Sequence, residues 1–190
     1  MNCKFAAAAV LAGLLDACAA TTVPRSGAPQ PGSERLRGYV MSRRNSDFIM
    51  VDGKELRREV EYGWDYDHAL ALRKVFDLDG HLLETAELAG ADLGLTEAEQ
   101  ARARALVVAD ERLHALVDRP DVVIWAGGFS FRKPEGQDCV RGSRCIHVIA
   151  AADHGTTAVA HAIVDLQGDR VVYPFYQPAD GEPGPKFHGE

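Results

Sequence analysis

Apolar and polar residues alternate along the first half of the folded chain, and the period lengthens to a helical one after Thr96. Leu36–Arg43 alternate loosely and read as a strand. Asp47–Val51 and Glu55–Tyr62 flank Asp52-Gly53, a strong two-residue hairpin signal. Ala69–Phe76 and Leu82–Leu88 flank Asp79-Gly80 in the same way, so residues 36–88 predict an antiparallel meander. Thr96 and Glu99 then form a capping box, in which hydroxyl and carboxylate each satisfy the other residue's amide. Ala98, Ala101, Ala105, Val108, Ala109, Leu113, Leu116 and Val117 recur at helical spacing up to Pro120, and Asp110 is placed to restart the helix after a break near Val108. Strands follow at Val122–Lys133, Arg144–Ala151, Ala158–Leu166 and Arg170–Phe175. The helix, about 96–118, must bury its stripe on the sheet these strands build. The expected class is therefore α+β: antiparallel sheet with one main helix.

The ends read differently. Lys4 is followed by the apolar stretch Phe5–Leu15 and by the small residues Ala17, Ala19 and Ala20. Charged start, short apolar core and small-residue region make residues 1–17 a secretory signal peptide. Residues 18–35, with Pro24, Pro29 and Pro31 among small residues, read as a tether, and 176–190 as a loose tail. Residues 36–175 are the globular part.

Charge narrows the partners. Lys and Arg total 21 against 28 Asp and Glu, a net charge of −7, which leaves no cation excess for nucleic acid. No apolar run reaches about 18 residues, so the mature chain is expected to lack a spanning helix. Of the four cysteines, Cys3 leaves with the signal and Cys18 lies at its end. Cys139 and Cys145 remain, and in an exported chain an even pair this close predicts a disulfide. A zinc site would need a second Cys/His pair nearby.

Three histidines, His147, His154 and His161, are evenly spaced around a predicted hairpin whose tip is His154. With a loop of three or five residues, His147 faces His161 across the ladder and two imidazoles could hold a divalent transition metal. With two or four, they point to opposite faces. His154 itself would lie roughly 23 Å along the ribbon, too far to add a third ligand. The expectation is no bound metal and no cofactor. Glu59, Glu61, Asp65, Asp67 and His68 surround Trp64 and Tyr66; acids beside aromatics can grip sugars or calcium, but the spacing lacks a calcium loop's order. The chain contains no Gly-x-Ser-x-Gly, His-Glu-x-x-His or phosphate-binding glycine loop, which weakens an enzymatic reading.

Two resemblances add to this. Leu15-Asp16-Ala17-Cys18 resembles a bacterial lipobox, with Asp16 departing from the usual small or β-branched residue. It implies an acylated Cys18, and Ala19 after it implies the outer membrane. The alternative is an Ala-x-Ala cut after Ala19. Leu95-Thr96-Glu97-Ala98-Glu99 and the segment from Ala162 to Val172 resemble the small non-catalytic N-terminal domains of copper amine oxidases, and PepSY-like secreted domains. That implies a cystatin-like C-terminal half and no oxidase activity, since the quinone tripeptide and the His-x-His copper pair are absent. The cystatin inhibitory Gln-x-Val-x-Gly loop is absent too. The expected protein is an exported, lipid-anchored envelope module, in the outer membrane or periplasm. It would bind a protein or peptide rather than catalyse. A periplasmic hydrolase or metal protein using His147/His161 or the Asp65-Asp67-His68 loop is the alternative.

Overall fold

The computed structural model describes residues 32–88, 93–133 and 136–177. The segments expected to be signal peptide and most of the tether, with Cys18, and the expected tail from residue 178, lie outside the described residues. Two four-stranded antiparallel sheets dominate what is described. The first is β1 (Tyr39–Val51), β2 (Lys54–Asp65), β3 (Leu70–Phe76) and β4 (Leu82–Glu87), in that order. The second is β5 (Val123–Ser130), β6 (Cys145–Ala152), β7 (Thr157–Asp165) and β8 (Arg170–Tyr173). Between them run α1 (Glu97–Ala109) and the single turn α2 (His114–Val117). This corrects the α+β expectation. The described residues are mostly β, and the one substantial helix among them is an insert between sheets. The capping signal is the clearest local motif and gives the helix undue weight, whereas the strands of the two sheets far exceed it in residues.

The helix is also shorter than the expected span of about 96–118. Asp110 leaves the helical region at φ −78°, ψ 116°, and α2 begins only at His114. Its buried face matches the predicted stripe only in part: Ala101, and beyond α1 Leu113 and Val117, are buried as expected. Glu99, Ala101, Ala103 and Val107 are buried, while Ala98 and Val108 are exposed. The apolar count missed part of the face because one of its two fully buried positions, Glu99 beside Ala103, is a glutamate.

Long hydrogen-bonded pairing explains the first hairpin. β1 runs unbroken through the polar stretch Arg44–Ser46, where the sequence suggested a gap, and pairs with β2 from Tyr39↔Asp65 to Val51↔Lys54. β3 covers β2 only from Glu59 to Asp65, so the outer half of the hairpin stands beyond the sheet. Strand alternation cannot be read there, because neither face is buried. Near the base, Tyr39 lies across Gly63, where a β-carbon would sit 2.7 Å from the ring. Lys74 stacks on that ring at 3.6 Å. Burial, then the Glu61 carboxylate, pushes the Tyr39 hydroxyl up to about 12.

The core lies between the sheets and the helix. Trp64, Tyr66 and Ala71 of the first sheet join Ala103 and Val107 of α1 and Ile146, Val148, Ala162 and Val164 of the second. Polar clasps fix this packing. Trp64 Nε1 donates to Gln167 Oε1 at 2.9 Å, and Gln167 Nε2 donates to the Tyr66 carbonyl at 2.9 Å. Glu99 is fully buried. It accepts from the Thr96 amide at 2.8 Å, the Tyr66 hydroxyl at 2.8 Å and Arg144 Nε at 3.1 Å. A buried carboxylate so completely partnered escapes the penalty that an isolated charge would incur.

Candidate functional site

The cysteine pair is a disulfide, Cys139–Cys145, with Cα atoms 5.5 Å apart. Both residues are buried, against Ile163, Phe129, Phe131 and Tyr176. Packing therefore reaches Tyr176, the first residue assigned to the tail. The bond closes the loop that carries Arg141 and Gly142, and Arg144, its last residue before Cys145, is anchored to Glu99 and to the Leu93 and Gly94 carbonyls at 3.1 Å. A short loop held at both its ends is a rigid wall.

That wall faces the first sheet across a cleft of about 480 Å³. Trp64, Ala69, Leu70, Ala71 and Leu88 form the apolar part of its lining, and His68, Glu87, Arg132, Arg141 and Gly142 complete it. Pockets that enclose small ligands are commonly about 300–1,000 Å³, mostly apolar with a few polar groups. Arg141 donates to Glu87 at 2.8 Å across the cleft, and both side chains are exposed. Arg132, Arg141, Glu87 and Leu88 were not singled out from sequence. They come from the end of β4 and from the connection between β5 and β6, and no linear spacing marks them.

The acidic-aromatic segment is split by strand alternation. Trp64 and Tyr66 turn into the core, and Glu61 is buried against Arg44. Asp65 caps the β2–β3 turn instead of a ligand. It accepts from the Asp67 and His68 amides at 3.0 and 3.2 Å and pairs with His68 Nδ1 at 3.0 Å. Burial opposes ionisation of Asp65, but the bonds from the His68 ring and the two amides outweigh it and hold its carboxyl below the ordinary range. Asp67 accepts from the Gly38 amide at 3.0 Å. A His–Asp pair beside a cleft resembles part of a hydrolytic triad, yet no serine, threonine or cysteine is among the residues lining it. The turn Asp77–His81 repeats the pairing, with His81 Nδ1 2.9 Å from Asp77, and Asp79 nearby. Amide bonds from Asp79 and His81 to Asp77 account for that cluster as a turn.

The two strand histidines meet, though not as direct partners. The loop between β6 and β7 spans Asp153–Thr156, four residues, since Ala152 pairs with Thr157. On that count His147 and His161 would point to opposite faces. A bulge intervenes: Ala150 pairs with Ala160 but Ala151 with Ala158, leaving Val159 extra. The added residue restores the parity. His147 then lies opposite Ile163 and His161 opposite Ile149, diagonal on one face, and His147 Nε2 is 3.0 Å from His161 Nδ1. His147 is buried beneath Phe129, with ring centres 4.5 Å apart. Its Nδ1 has no hydrogen-bond partner among the described residues. Desolvation, then the neighbouring His161, lowers the His147 pKa to about 4. The pair lies on the sheet face away from the helix, and no third His, Cys, Asp or Glu ligand atom joins it among the described residues.

Neither protein-family models nor curated proteins provide a match to this chain.

Proposed function

We propose that the protein is an exported envelope module, acylated at Cys18, that binds its partner in the cleft between the two sheets and performs no catalysis there. The cleft carries this reading. It has an apolar floor, a charged rim and a wall that the Cys139–Cys145 disulfide closes. Such a site holds a ligand by shape and a few polar contacts, and its one His–Asp pair is engaged in a turn with no nucleophile alongside. A buried disulfide beside a secretory-type N-terminus supports an oxidising compartment.

Two experiments test it. The mass of the mature N-terminus should show acyl chains on Cys18, and Cys18→Ala should abolish them; an unmodified residue 18, or a mature chain beginning after Ala19, would refute the anchor. For the cleft, a photo-crosslinking amino acid at Leu70 should capture a discrete envelope component in cells. The same group at Trp125, on the far face of the second sheet, should not. Equal capture from both positions, or none from Leu70, would refute binding at the cleft.

A further inference from the structure

The rim of the cleft has a sign that the rest of the chain does not. The whole chain carries −7, but the cleft is lined by Arg132 and Arg141 against a single carboxylate, Glu87. Arg141 is tied to that carboxylate only by an exposed pair, its own side chain 85% accessible. Pairs of this kind hold weakly, because water screens them and both side chains lose freedom to make them. Arg141 can therefore exchange Glu87 for an incoming anion with little loss. A guanidinium presents two parallel N–H donors that match the two oxygens of a carboxylate. Below the rim, Trp64, Leu70 and Leu88 offer a surface that no polar ligand would prefer to water.

Resting on the reading of the cleft as the binding site, we propose that its occupant is an apolar molecule or chain end bearing a terminal carboxylate. The body lies on Trp64, Leu70 and Leu88, and the carboxylate is taken by Arg132 and Arg141. A free fatty or aromatic acid and the C-terminus of a peptide share this chemistry. An amine-headed ligand of the same body would meet two guanidiniums instead and be rejected. The disulfide loop matters here because it fixes where Arg141 stands.

The chain has two tryptophans, so Trp125→Phe leaves Trp64 as the sole indole reporter inside the cleft. In that full-length protein, octanoate should shift the Trp64 emission saturably, with octanol and octylamine at least tenfold weaker. N-acetyl-leucyl-phenylalanine should be compared with its C-terminal amide in the same titration. A stronger response to the peptide acid assigns the source as a chain end, and a stronger response to octanoate assigns a small acid. Arg132→Glu with Arg141→Glu, both at exposed positions, should weaken octanoate at least tenfold and strengthen octylamine while leaving the circular dichroism unchanged. Equal responses to acid, alcohol and amine, or no effect of the double substitution, would overturn the carboxylate preference and leave the cleft standing. Silence of Trp64 toward all five probes would overturn both.

Discussion

His147 shows how much one side chain's surroundings can decide. Its ring is held by Phe129 on one side and by the bare Gly128 on another, where a β-carbon would come within 2.8 Å of Nδ1. Gly128→Ala must push either the ring or the strand aside, and overpacking of this kind costs about 1–3 kcal/mol. Thermal or urea unfolding of that variant checks it, and an unchanged midpoint would contradict the contact. The pKa of about 4 carries a pH dependence with a definite sign. An unfolded histidine titrates near about 6.5, so between these values the unfolded chain holds the extra proton. Stability present at neutral pH is therefore lost as pH falls through this window, by about 2–3 kcal/mol. The groups facing the ring are His161 across the ladder and the aromatic ring of Tyr176. His147→Phe, which does not titrate, should flatten the slope of urea-unfolding free energy between pH 6.5 and 4; an equal slope in both proteins would assign it elsewhere.

At the level of elements, α1 is positioned by its first turn. Glu99 completes the capping box and also joins Tyr66, just after β2, to Arg144, just before β6. Removing the cap hydroxyl alone, Thr96→Ala, should cost about 1 kcal/mol. Glu99→Ala leaves a buried guanidinium without its carboxylate and should cost about 3–5 kcal/mol. Urea denaturation separates the two, and equal losses would reduce Glu99 to a cap. The capping box is plain in the sequence because it is a contact within four residues. The face that α1 buries is not, because Ala101, Ala103 and Ala105 are equally apolar and the choice between them lies with Arg144, far along the chain. The β6–β7 hairpin shows the same divide. Asp153-His154-Gly155 announces a turn, but the Val159 bulge that returns His147 and His161 to one face has no local signature. Strand β1 illustrates the converse: Arg44–Ser46 look like a break and are held in the ladder by β2.

For the molecule as a whole, the disulfide and the Glu99–Arg144–Tyr66 cluster act on one object, the wall between the sheets. Replacing Cys139 and Cys145 together by serine should lower unfolding free energy by about 2–3 kcal/mol, the modest value of a short closed loop. It should also broaden the amide signals of Arg141 and Gly142 in solution spectra; sharp, unshifted signals would show that the loop is fixed without the bond. Local chemistry determined much here without the fold: the Asp52-Gly53 turn, the helix cap at Thr96 and the pairing of the two late cysteines each depend on residues a few positions apart. The balance between helix and sheet, the parity of the two histidines and the cleft with its two arginines were decided only by tertiary structure. Each depends on residues from separate strands meeting in space, and a pattern along one strand carries no information about what another brings to face it.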